Sequence, residues 1–255
     1  MQEHTTREES APSGEQKIKA ISLTQAVLIN GLIIAIAIII GACIIHGTFD
    51  SSNDTKQGSG ETKQALSVDI KNVSLSHEPF IGNPEAKVVV AYWSDYQCSY
   101  CKKFETGPFQ EIIKNYVSTG DVAIVFKDYS FLGPDSTTAG LYDRAVWNLY
   151  PEQYFAWREA MFVAQDGVNS GFGDEASVVK LTGTIPGIDA KKVEADVKKN
   201  NNAYTKLMEE SRSQGLDFGI NGTPSFITGT QLIGGYVDYA GFKTHLDKQL
   251  KQIKK

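Results

Sequence analysis

The sequence predicts an α/β domain: a strand–helix–strand unit, a helical insertion and a closing strand–strand–helix, all preceded by one N-terminal transmembrane helix. Three observations carry this prediction. Two short apolar runs, at 88–93 and 122–126, flank a stretch with helical spacing. A long helical region over about 136–214 separates them from a candidate hairpin at 225–233. Ahead of everything lie twenty consecutive residues without a charge, at 26–45.

Taken in chain order, the uncharged run comes first. A helix rising about 1.5 Å per residue over that length matches the roughly 30 Å hydrocarbon core of a bilayer. A soluble helix so long would show a polar face, and this one does not. Lys17 and Lys19 precede it, whereas Asp50 and Asp54 come before the first lysine that follows, Lys56. The positive-inside bias therefore makes residues 1–24 a cytoplasmic tail, 25–45 the anchor, and the remainder extracytoplasmic. The length of the run and its polar leader favour an uncleaved signal-anchor over a signal peptide. Ile40-Gly41-Ala42-Cys43 keeps a lipid-modified Cys43 open beside the plain reading of a small residue in a membrane helix.

Residues 46–66 are rich in Ser, Thr, Gly, Asp, Asn, Lys and Gln and have almost nothing to bury, which makes them a flexible linker. The globular domain then occupies 67–255. Val88-Val89-Val90-Ala91-Tyr92-Trp93 and Val122-Ala123-Ile124-Val125-Phe126 are β-branched and aromatic throughout, as in strands buried on both faces. Between them Phe104, Ile112, Ile113 and Tyr116 recur at helical spacing, with a kink expected at Gly107-Pro108.

Gly-rich turns near 167–173 and 183–187 divide the long helical region, and its aromatics, Trp147 to Phe162, read as core. Ser225-Phe226-Ile227-Thr228, a turn at Gly229, and Gln231-Leu232-Ile233 form the hairpin; an amphipathic helix from Tyr239 to about Ile253 closes the chain.

The net charge of -5 and the absence of a Lys/Arg cluster exclude a nucleic-acid partner. Three cysteines, at 43, 98 and 101, are too few for a disulfide scaffold. Alone, Cys98-Ser99-Tyr100-Cys101 is compatible with half a zinc site, a redox dithiol or accident. Structural zinc needs four ligands, and Cys43 with His4, His46, His77 and His245 supplies no second pair, so no metal site is implied. A cysteine hydrolase would need a histidine base that no motif provides.

The context, a Cys-x-x-Cys following a strand and opening a helix, is that of thioredoxin. The helix N-terminus stabilises a thiolate at Cys98, the exposed first residue, while Cys101, one turn in, is shielded and placed to attack a mixed disulfide. Cys98 is thus the expected nucleophile and Cys101 the resolving thiol. Far downstream, Thr223-Pro224 precedes the strand at Ser225, in the position of a cis-proline loop. A cis bond there would aim the Thr223 backbone at a substrate chain.

The segment from Ser94 to Phe104 (Ser94-Asp95-Tyr96-Gln97-Cys98-Ser99-Tyr100-Cys101-Lys102-Lys103-Phe104) resembles the active-site segment of the DsbA-like thioredoxin family of bacterial thiol–disulfide oxidoreductases. Ile81-Gly82-Asn83-Pro84, Ala160-Met161-Phe162-Val163-Ala164-Gln165 and Gly219-Ile220-Asn221-Gly222-Thr223-Pro224-Ser225-Phe226 extend the resemblance in order from residue 70 to the C-terminus. It implies a thioredoxin fold with an inserted helical domain and disulfide exchange with extracytoplasmic cysteine-containing proteins. It also implies reoxidation by a membrane partner that passes electrons to quinone. No cofactor is implied.

Two departures stand out. Ser99 replaces the proline that commonly follows the first cysteine, and Tyr92 stands where many members carry an acid. Ser99 and Tyr100, the intervening pair, tune thiolate stability and hence potential. Asp95, the nearest acid, is either a proton acceptor or an exposed turn residue. The leading expectation is an oxidant that introduces disulfides. The alternatives are a reductase or isomerase running the same dithiol, and a tethered binding module whose cysteines are incidental.

Overall fold

The computed structural model describes residues 67–253. The tail at 1–24, the anchor at 25–45 with Cys43, and the linker at 46–66 lie outside the described residues. Among the described residues no helix is long and apolar enough to cross a membrane.

The sheet has five strands in the order β1-β3-β2-β4-β5: β1 (Phe80–Ile81), β2 (Val88–Ser94), β3 (Val122–Asp128), β4 (Ser225–Thr228) and β5 (Gln231–Gly234). The sequence reading found the other four, and the two-residue β1 was too short to show a period. β2 and β3 run parallel, with Val88 opposite Val122 and Ser94 opposite Asp128, joined by the expected helical crossover. β4 lies antiparallel on the other side of β2, pairing Tyr92 with Phe226 and Trp93 with Ser225.

Both sheet faces are covered, which is why β2 reads as an unbroken apolar run. Val90 and Tyr92 face the main core, where Tyr92 stacks on Phe226 at 4.6 Å between ring centroids. Ala91 and Trp93 face a smaller core with Tyr129, Phe218 and Ile220. The Trp93 indole, fully buried, donates to the Ser211 carbonyl at 3.0 Å.

The crossover breaks where the sequence said it would. Helix α1 (Ser99–Glu105) ends before Gly107, Pro108 opens α2 (Pro108–Ile112), and a π-helical turn (Ile113–Val117) completes it. The insertion comprises α3 (Pro134–Leu149), α4 (Tyr154–Ala164), α5 (Glu175–Thr182) and α6 (Ala190–Asp217). The closing helix α7 (Tyr239–Ile253) places Phe242 against Phe104 and Phe226, at 5.4 and 4.9 Å between centroids.

Candidate active site

β2 ends at Ser94, and a four-residue turn delivers Cys98 to the N-cap of α1. The turn is held by Asp95, whose carboxylate accepts from the Gln97 amide (2.8 Å), the Ser136 hydroxyl (2.6 Å) and the amides of Phe131 (2.9 Å) and Leu132 (3.2 Å). At 1% exposure Asp95 is not the exposed turn residue considered from the sequence, and each of its oxygens accepts two of these bonds. Its work is to tie the turn to the start of the insertion.

Cys98 also departs from expectation. It is 7% exposed rather than an exposed residue, because the Thr223–Pro224 loop covers it. Its Sγ lies 3.3 Å from the Thr223 carbonyl oxygen and accepts the Cys101 amide at 3.4 Å. The Thr223–Pro224 bond is cis, as its position suggested. The Thr223 hydroxyl has no hydrogen-bond partner and stands ready to donate to either sulfur once ionised.

These contacts separate the two thiols. Hydrogen bonding from the Cys101 thiol lowers Cys98 to about 6, with the Thr223 hydroxyl and the amides of Cys101 and Tyr100 adding to it against the cost of burial. Cys101 has no exposure, and burial first, then the neighbouring Cys98 charge, pushes its thiol well above the ordinary value. One sulfur is therefore ionised and the other protonated near neutrality, the division that sequential thiol–disulfide exchange needs. Ser99 is exposed and Tyr100 is 59% exposed, so both are open to solvent rather than packed in the core.

Other residues of the site were not read from the sequence. Gln97 donates to the Phe172 carbonyl (3.3 Å) and accepts the Asn169 amide (3.0 Å), and the Gln165 amide donates to the Tyr96 carbonyl. Lys102 donates to the carbonyls of Val163 (3.1 Å) and Gln165, satisfying the free end of α4. Glu105, one turn after Cys101, is buried and receives Arg158 of α4 at 2.7 and 3.1 Å. A charge at that spacing on the otherwise apolar face of Cys101, Phe104, Phe109 and Ile112 is the signal that could have revealed it.

The family model for thioredoxin matches residues 74–248, well over half of the chain. The chain belongs to the thioredoxin family. Within it, the chain is 25% identical over 178 residues to disulfide bond formation protein D of Bacillus subtilis, covering 70% of this chain and 79% of that protein. Among solved structures it is similar to oxidised BdbD of Bacillus subtilis, with a TM-score of 0.66 and 24% identity over 74% of this chain and 99% of the other. It is also similar to the thiol–disulfide exchange protein alpha-DsbA2 of Wolbachia pipientis, with a TM-score of 0.60 and 26% identity over 67% and 86% of the two chains. This thioredoxin-family protein is a DsbA-like thiol–disulfide oxidoreductase.

Proposed function

We propose that the protein introduces disulfides into exported proteins from a domain tethered outside the cytoplasm by the helix at 25–45. The observation that carries the direction of the reaction is the depressed Cys98 thiol. A thiolate held by hydrogen bonds stabilises the reduced dithiol relative to the disulfide, and a disulfide whose reduced form is stabilised is a strong oxidant. The names of the Bacillus relatives point the same way.

In this reading a substrate thiolate attacks Cys98 of the Cys98–Cys101 disulfide, and Cys101 leaves. The second substrate cysteine then attacks the mixed disulfide and releases Cys98. Thr223 and Pro224 hold the substrate backbone beside Cys98, while Ser99 and Tyr100 tune the potential. A membrane partner linked to quinone reoxidises the dithiol, and the tether raises the local concentration of the pair.

The test is the redox potential of the full-length protein equilibrated with glutathione buffers. A value towards the roughly -120 mV of strong oxidants supports the reading, and one near about -270 mV would turn it to a reductase. Protease added to intact cells should remove the domain; protection would overturn its placement outside.

A further inference from the structure

We propose that Asn221–Gly222 is a site of spontaneous deamidation, and that its conversion to isoaspartate displaces the Thr223–Pro224 loop from Cys98. The site stands on its own geometry. Its consequence for exchange rests on the role proposed above, Cys98 as nucleophile.

Asparagine is thermolabile, and the reaction that consumes it needs a main-chain nitrogen able to reach the side-chain amide. Among the described residues Asn221 is the only asparagine followed by glycine, the residue that hinders such an approach least. Elsewhere the requirement fails. Asn83 precedes a proline, which has no amide proton to lose. Asn200, Asn201 and Asn202 lie within α6, where the following amides are engaged in the helix. Asn169 holds its side chain on the Leu132 carbonyl.

Neither reacting group is restrained at 221–222. Asn221 is exposed, its side chain makes no hydrogen bond, and the Gly222 amide donates to no backbone acceptor. The space beside Gly222 is open: a Cβ placed there would meet nothing within 4 Å.

The ends of this short segment, by contrast, are fixed. Upstream, Ile220 is buried; its amide donates to the Gly215 carbonyl at 2.9 Å and its carbonyl accepts the Tyr129 hydroxyl at 2.9 Å. Downstream, the Pro224 carbonyl accepts the Gly235 amide at 2.8 Å, and Ser225 enters β4. Only Asn221, Gly222 and Thr223 lie between the anchors. Isoaspartate brings its Cβ into the main chain and lengthens it by about 1.5 Å. With both ends held, the slack falls on Thr223, whose carbonyl is 3.3 Å from Cys98 Sγ. A shift of that size takes the contact out of hydrogen-bond range. The new carboxylate, two residues from Thr223, also disfavours the thiolate that the loop helps to hold.

The reaction balances with water as its co-reactant. The Gly222 nitrogen loses its proton and attacks Cγ of Asn221. The new N–Cγ bond forms, the bond to the side-chain nitrogen breaks, and that nitrogen leaves as ammonia. Water then opens the succinimide at either carbonyl, giving isoaspartate or aspartate. Nothing is oxidised or reduced, and the loss of ammonia makes the change one-way.

The test warms oxidised full-length protein at mildly alkaline pH and follows the tryptic peptide 213–243 by mass. The acid form should accumulate, with isoaspartyl methyltransferase labelling at 221. Gly222→Ala, which the open space accommodates, should slow the gain by about tenfold. A gain no faster than that of the other asparagine peptides, or one unchanged by Gly222→Ala, would overturn the site. Converted protein is then separated and reduced, and the pH midpoint of Cys98 alkylation is measured. It should lie about half a unit or more above that of unconverted protein. Asn221→Asp carries the charge without the added carbon and should reproduce only part of the rise. An unmoved midpoint, or a full rise in Asn221→Asp, would overturn the displacement of the loop. Failure of the underlying role shows differently: Cys98→Ser would keep the low-midpoint alkylation, while the acid gain at 221 would still report the site.

Discussion

The Sγ of Cys98 sits 3.3 Å from the carbonyl oxygen of Thr223, a residue 125 positions further along the chain. A neutral thiol donates to that carbonyl, whereas a thiolate is repelled by it and must turn to donors. Those donors are the Thr223 hydroxyl, the Cys101 thiol and the amides of Tyr100 and Cys101. The loop that closes over the nucleophile thus offers a partner to each protonation state, and the balance between them sets how much thiolate is present.

Thr223→Val keeps the shape and the carbonyl but removes the hydroxyl. Cys98, lowered to about 6 in the native protein, should rise by about one pH unit, since a hydrogen bond to a charged group contributes about 1.5 kcal/mol or more. The pH midpoint of Cys98 alkylation measures this. An unmoved midpoint would mean that the amides and the Cys101 thiol do the work alone.

The depressed Cys98 thiol also links stability to pH. Its folded value, about 6, lies below its ordinary value of 9.0, so its contribution is present above pH 9 and lost as pH falls towards 6. Cys101, pushed upward, begins to oppose only above its ordinary value of 9.0. Over that window the reduced protein should lose stability relative to the oxidised protein as pH is lowered, by at most about 4 kcal/mol. Paired thermal melts of the two forms test the sign, and parallel curves would refute it.

Much of this was legible in the sequence, for reasons that differ by element. The strands 88–93 and 122–126 were readable because both sheet faces are covered, leaving uniform apolar runs. The kink at Gly107-Pro108, the hairpin and the limits of the last helix follow from local rules, and all three appear. The dithiol and Thr223–Pro224 were singled out separately and meet in the fold. What stayed hidden depends on tertiary contacts. Cys98 is covered by a loop 125 residues away, Asp95 is buried by donors from 131, 132 and 136, and Glu105 is held by a guanidinium from the insertion. No spacing rule reports such partners.

Asp95→Ala should destabilise the protein by about 3 kcal/mol or more, because it strands three amides and a hydroxyl that are buried or partly buried. Asp95→Asn keeps one accepting oxygen and should cost less. Urea unfolding separates the two. Equal, small losses would show that water replaces the carboxylate and that the turn at 95–97 does not depend on it.

Arg158 crosses from the insertion to bond Glu105, the Ser94 hydroxyl (2.9 Å) and the Tyr96 hydroxyl (3.2 Å), with its Cζ 4.0 Å from the centre of the Phe126 ring. Breaking a buried ion pair from one side leaves an uncompensated charge, so Arg158→Met should cost about 3–5 kcal/mol. Replacing both charges by apolar groups of similar size removes that penalty, and Arg158→Met with Glu105→Leu should regain a large part of the loss. Urea unfolding of the native protein, the single variant and the double variant measures both the loss and the recovery. A double variant no more stable than Arg158→Met would show that the bonds from Arg158 to Ser94 and Tyr96, and not the ion pair, carry the loss.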